Sequence, residues 1–121
     1  MLQNNFMIRN GISVLEVSEE KAVLKSEIID DFLNPYGYVH GGLLFTLADC
    51  AAGILARTDG RKYVTQTANA NFIANVKDGT VIAQASLVSR KKRVSVVHVD
   101  IHWEDMLLAD FTFNMYCVST E

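Results

Sequence analysis

NPYGYVHGGLLFTLADCAAGILAR (Asn34–Arg57) is the stretch on which the reading of this chain turns. From Leu43 to Ala56 it is one apolar run with helical spacing. Leu43, Leu47, Ala51 and Leu55 recur every fourth residue, and Leu44, Ala48 and Ile54 fill the neighbouring faces. A helix apolar almost all round is expected inside a fold rather than half in water. Asp49 is the only charged residue in that span. A carboxylate in such surroundings is costly unless it is paired, hydrogen-bonded or open to a water-filled cleft. It therefore marks the one solvated strip of the helix, a carboxylate bonded to a nearby backbone amide, or a reacting group.

His40-Gly41-Gly42 precedes the helix. Glycines at a helix start leave backbone N–H groups uncovered, at the end where the helix dipole is positive. That suits a carbonyl oxygen gaining negative charge in acyl transfer. It also suits a tight loop whose backbone must pass close to a sheet. His40 and Asp49 are nine residues apart. On one helix that is roughly 13 Å along the axis and about half a turn around it. They cannot meet one small reacting group within a single chain. If both act, Asp49 must meet the His-Gly-Gly turn of another subunit.

The remainder reads mostly as strands. Ile12–Val17 and Ala22–Ile28 flank a polar turn, and Asp30–Gly37 is a loop. After the turn residues Thr58–Lys62 come four long runs rich in β-branched and aromatic residues: Tyr63–Ala74, Thr80–Ser89, Arg93–Trp103 and Leu107–Val118. In the third, Val97, Val99, Ile101 and Trp103 share a face opposite Val96, His98, Asp100 and His102. In the fourth, Leu107, Ala109, Phe111 and Phe113 share a face. A three-residue loop, Glu104-Asp105-Met106, pairs Trp103 with Leu107 and keeps apolar against apolar. One helix against a long antiparallel sheet predicts an α+β fold in a single domain, residues 1–121. One helix covers only part of a sheet face in a chain this short, and a second subunit is the cheapest cover for the rest.

Composition narrows the function. Fourteen acidic against eleven basic residues give a net charge of −3 and a pI near 5.5, which argues against general nucleic-acid binding. Cys50 and Cys117 sit in apolar runs and read as buried thiols, not as a disulfide framework. The start MLQNNFMIRNGIS has no signal-peptide pattern, and no apolar run reaches the roughly 20 residues of a membrane span. A soluble cytoplasmic protein without a membrane partner is expected. His98, Asp100 and His102 alternate on one strand, but a solvated strand face is the expectation there, and no metal.

The helix motif resembles that of the hotdog-fold acyl-CoA thioesterases of the PaaI-like group. Asn34, Gly37, His40, Gly41, Gly42 and Asp49 match that family's pattern residue for residue. YVTQTANANFIANVKDG (Tyr63–Gly79) is similar to its next strand, although Phe72-Ile73-Ala74-Asn75 lacks the proline usual there. The resemblance implies a long helix wrapped by a curved antiparallel sheet. It also implies homodimers, often paired into tetramers, with active sites between subunits. Asp49 would be general base or nucleophile, and the Gly41 N–H would polarise the thioester carbonyl. Asn34 and His40 would hold the turn. Thr65 would help position water, with Thr67 on the same strand face as the alternative. Gly42, Gly37 and Phe45 would border the substrate. Arg90, Lys91, Lys92 and Arg93, a basic run at a hairpin, would meet the coenzyme A phosphates. The implied partner is an acyl-CoA thioester of small, medium or aryl acyl group. No separate cofactor is implied, because coenzyme A is part of the substrate. The alternatives are a non-catalytic acyl-CoA sensor and, further off, a hydratase or dehydratase of acyl thioesters.

Overall fold

The computed structural model describes residues 2–121. Its elements are α1 (Asn5–Arg9), β1 (Ile12–Val17), β2 (Lys21–Glu27), α2 (Gly41–Ala56), β3 (Lys62–Phe72), β4 (Thr80–Arg90), β5 (Val94–Trp103) and β6 (Met106–Ser119). The strands form one antiparallel sheet in the order β1-β2-β4-β5-β6-β3. α2 lies in its curve and carries the chain from β2 towards the far edge, where β3 pairs only with β6. This is the wrapped helix that the motif implied.

α2 seats itself by residue size. Leu44, Leu47, Ile54 and Leu55 are fully buried, and Ala48, Ala51 and Ala52 let the backbone approach the sheet. Each large side chain removed from water stabilises the fold by about 1.5–3 kcal/mol. Opposite them stand Val97, Val99 and Ile101 of β5 with Phe111 and Phe113 of β6. The segment Gly41–Asp59 is long and apolar enough, by composition, to span a membrane. The sheet that encloses it gives that apolarity another cause.

One local expectation fails, and one element has no signal in the sequence. The β5–β6 loop has two residues, not three: Trp103 pairs with Met106 across Glu104-Asp105, and Glu104 adopts φ 50°. Such a turn alone would set polar against apolar. A bulge repairs the register, because His102 faces Leu107 while Ile101 faces Ala109. Leu108, which strict alternation places on the face opposite Ala109, is the inserted residue and is buried. Beyond the bulge the expected apolar pairing holds, with Val99 opposite Phe111. The element without a signal is α1. It is only five residues long, too short for a periodic signal, and is capped by the Asn4 side chain on the Met7 N–H at 3.0 Å. Met7 is buried.

The C-terminal end of α2 is locked by Arg90. Its guanidinium donates to the Ala56 carbonyl at 3.0 Å and to the Leu55 carbonyl at 3.3 Å, the latter also accepting from the Thr58 hydroxyl at 2.7 Å, so the carbonyls at the helix end are partnered. It also reaches Asp59 at 2.8 Å, where the Tyr63 hydroxyl (2.6 Å) and Arg61 Nε (2.8 Å) converge. Burial works against the Asp59 charge, but the Tyr63 hydroxyl, the Arg61 backbone and side chain, and Arg90 outweigh it. They hold the carboxyl at about 2 against its ordinary 3.8. The ionised form thus stabilises the fold fully above pH 3.8, and that contribution is lost as the pH falls through about 2. Asp59→Asn should melt below wild type at neutral pH, with the gap narrowing under acid. Melting scans showing a gap independent of pH would assign the loss to packing instead.

Candidate active site

α2 leaves one strip uncovered by its own sheet: Gly42, Phe45, Thr46, Asp49 and Cys50, spaced by three or four residues. Asp49 stands in the middle of that strip, half-buried. Its Oδ1 accepts a hydrogen bond from the Thr65 hydroxyl at 2.5 Å. Phe45 sits one turn earlier, its ring edge-on to Phe111 and Phe113.

Thr65 reaches Asp49 because β3 contains a bulge. Thr65 lies opposite Met115, but Thr67 lies opposite Asn114, so Gln66 is the extra residue. Thr65 thereby faces the helix side, with buried Met115. Thr67 is turned to the other face, beside half-buried Asn114. The expectation that the two threonines share a face is corrected: one inserted residue separates them.

Asp49 borders a cleft of about 310 Å³. Buried Met7, Tyr63 and Met115 contribute apolar wall, and Cys50, Gly53 and Arg57 continue the helix side. The participation of α1 through Met7 had no signal in the sequence. Burial first, then the charge of Asp49, pushes the Cys50 thiol up to about 11, with Arg57 opposing. Cys50 therefore stays protonated near neutrality and is no competing nucleophile. Its alkylation by iodoacetamide at pH 8 should run about 100-fold slower than that of a thiol with an unperturbed pKa. Equal rates, followed by mass spectrometry, would contradict this.

The other motif residues build a separate turn. Asn34 Oδ1 accepts from the Tyr36 N–H at 2.9 Å and the Tyr38 N–H at 3.1 Å, while its own N–H donates to the Tyr38 carbonyl at 2.7 Å. Gly37, at φ 82°, closes that turn in the left-handed region. His40 is the N-cap of α2, and its Nδ1 accepts from the Gly42 N–H at 2.9 Å. This places the imidazole proton on Nε2 and occupies the Gly42 N–H. The Gly41 N–H has no acceptor among the described residues. The Phe72 ring lies 3.6 Å from where a Gly41 Cβ would be. Asn75, in place of the family's proline region, donates to the Val39 carbonyl at 2.9 Å and ties the end of β3 to the turn.

Within one chain, then, Asp49 and Thr65 come together, whereas Asn34, Gly37, His40, Gly41 and Gly42 do not line their cleft. Of the basic run, Arg90 has its guanidinium taken up by the α2 terminus, and Lys91, Lys92 and Arg93 are exposed on the β4–β5 turn. His98 and Asp100 gather with Asp110 across the β5–β6 pair, not with His102.

Comparison with known proteins agrees with this architecture. The family model described as Thioesterase superfamily matches residues 36–109. The 1,4-dihydroxy-2-naphthoyl-CoA hydrolase of Listeria monocytogenes is 32% identical over 113 residues, covering 90% of this chain and 85% of that protein. A variant of the phenylacetic acid degradation protein PaaI from Thermus thermophilus superposes with a TM-score of 0.91 at 29% identity, covering 95% of this chain and all (100%) of that one. The protein smu.793 from Streptococcus mutans, solved bound to acetyl CoA, superposes with a TM-score of 0.85 at 26% identity, covering 89% of each chain.

Proposed function

Because this chain belongs to the thioesterase superfamily, we propose that it hydrolyses acyl-CoA thioesters at a site shared by two copies, with Asp49 as the reacting carboxylate. The observation that carries the reading is the Asp49–Thr65 pair at the edge of a cleft, on a helix otherwise built for burial. Such a carboxylate is costly to keep, and Thr65 orients one of its oxygens.

Two routes fit. As general base, Asp49 takes a proton from a water that attacks the thioester carbonyl. The tetrahedral intermediate then expels the thiolate of coenzyme A and leaves the free acid. As nucleophile, Asp49 attacks directly, expels the thiolate and forms a mixed anhydride that water then opens. In both, negative charge develops on the carbonyl oxygen. The open Gly41 N–H at the α2 terminus suits that oxygen. His40 and Asn34 hold the turn that presents it. Gly42 and Gly37 shape the approach, and Phe45 offers an apolar edge to the acyl group. Lys91, Lys92 and Arg93 are free to meet the phosphates of coenzyme A.

Sharing of the site follows from distance. Asp49 and Gly41 lie eight residues apart on one straight helix, about 12 Å along its axis. The surface for a second copy is β3. It is an edge strand, exposed on both faces from Val64 to Asn69, and no charged residue lies between Lys62 and Lys77. Long uncharged edges invite pairing with another chain. Pairing two β3 edges would set the helix strip of each copy beside the other's turn. The substrate in the Listeria relative's name and the acetyl CoA of the Streptococcus structure support a CoA thioester as substrate. The test is release of free coenzyme A, followed with a thiol reagent, from acetyl-, hexanoyl-, phenylacetyl- and benzoyl-CoA. Hydrolysis of at least one is expected. Binding of these esters without release of thiol would favour a sensor.

A further inference from the structure

Arg57 is an exposed cation at the rim of the Asp49 cleft. Among the described residues it takes part in no ion pair, whereas Arg61 and Arg90 are both held by Asp59. Asp49, Gly53 and Arg57 are spaced four residues apart and so share one face of the helix. The Arg57 side chain folds back along that face. A Cβ placed on Gly53 would lie only 2.9 Å from its Nη1. The guanidinium therefore rests over Gly53, one helical turn, or about 6 Å, from the position of Asp49.

A cation at the C-terminal end of a helix is favourable by itself. That accounts for a basic residue at position 57 but not for its return over Gly53. A glycine inside a helix costs about 1 kcal/mol relative to alanine. Here the missing side chain provides the space in which the guanidinium lies. The rest of the cleft does not satisfy it. Cys50 is held as a neutral thiol, Met7 and Met115 are apolar, and the Tyr63 hydroxyl is spent on Asp59. A planar fork of N–H donors thus faces the cleft, a ring's length from the reacting carboxylate.

We infer that Arg57 is a specificity residue: it recognises an acyl group that carries an oxyanion, carboxylate or ionised phenol, at the end remote from the thioester. The inference rests on the proposed hydrolysis at Asp49 and adds the class of acyl group. With the thioester carbonyl at Asp49 and Thr65, the remote oxygen of a short diacid or a hydroxyaryl acid meets the guanidinium. A charge-assisted hydrogen bond at the rim of the cleft is enough to discriminate by about tenfold.

The experiment compares kcat/KM within two pairs of CoA thioesters, glutaryl against hexanoyl and 4-hydroxybenzoyl against benzoyl. Wild type, Arg57→Gln, Arg57→Lys and Gly53→Ala are measured side by side. Wild type should favour the oxygen-bearing member of at least one pair by about tenfold, and the pair concerned tells carboxylate from phenolate. Arg57→Gln should bring that ratio near one, and Arg57→Lys should keep part of it. Gly53→Ala keeps the charge but evicts the guanidinium from its resting place, so its ratio should also fall. A ratio near one for both pairs in wild type, or a ratio unchanged in Arg57→Gln, overturns the inference. So does a rise in KM that is equal for both members of each pair, since the cation would then meet the coenzyme A common to all. If wild type hydrolyses none of the four but releases thiol from acetyl- or phenylacetyl-CoA, the functional reading stands; if it hydrolyses none of these either, that reading fails. Calorimetric Kd values for the same pairs then decide the inference separately, and equal discrimination in wild type and Arg57→Gln would overturn it.

Discussion

Asp49→Ala is expected to lower kcat by at least about 100-fold, the usual loss when a general base or nucleophile is removed, while the protein keeps its fold. The two halves of this expectation come from one observation. Asp49 is the one charged residue of a helix most of whose residues are apolar and buried. Its Oδ1 is held by the Thr65 hydroxyl at 2.5 Å, and no cation pairs with it among the described residues. Alanine is the better helix former and carries no desolvated charge, so the variant should melt at or above the wild-type temperature. A structural carboxylate would behave in the opposite way, losing stability and keeping turnover. Asp49→Asn removes the charge while keeping the shape, and it should be nearly as inactive. Thermal melting beside thiol release therefore separates the two roles. An Asp49→Ala enzyme with undiminished turnover would refute the mechanism.

Gly41→Pro should cost about 10²–10³ in kcat, the range for deletion of one oxyanion donor. This substitution removes the N–H and little else. Gly41 is the first residue of α2, where proline is tolerated because that N–H has no helical partner. His40, at φ −66° and ψ 133°, already has the extended conformation that a residue before proline prefers. The Gly42 N–H remains capped by His40 Nδ1. Gly41→Ala is the companion variant: it keeps the donor, and its Cβ would meet the Phe72 ring only at ordinary contact distance, 3.6 Å. Retention of turnover in Gly41→Ala and its loss in Gly41→Pro, with helical circular dichroism unchanged in both, assigns the effect to the donor. Equal loss in the two would point to shape instead.

The parts of this protein that the sequence announces are those set by period. α2 shows in the spacing of Leu43, Leu47, Ala51 and Leu55, and β5 in the alternation of Val97, Val99 and Ile101, all now buried. What period cannot show is a single inserted residue. Leu108 and Gln66 each break the alternation, one moving a buried side chain, the other turning Thr67 away from Asp49. Nor does a basic residue in a hairpin declare its partner. Arg90 read as a phosphate ligand with its neighbours, yet its guanidinium closes the end of α2 through Leu55 and Ala56. The Asn34, Gly37 and His40 positions were legible as a motif. Their hydrogen bonds supply the reason, since Asn34 and Gly37 make the turn and His40 caps the helix. The α1 side of the cleft wall was not legible, because Met7 comes to the cleft from an element distant in sequence.

The most direct test of the account mixes two inactive proteins, Asp49→Ala and Gly41→Pro, and measures thioester hydrolysis after subunit exchange. In a mixed dimer one site would combine the intact Asp49 of one chain with the intact turn of the other. With random exchange, about a quarter of all sites are restored, and hydrolysis should recover towards that fraction of the wild-type rate. A mixture that stays as inactive as its two components, although native mass spectrometry shows mixed dimers, would contradict a site built from two chains.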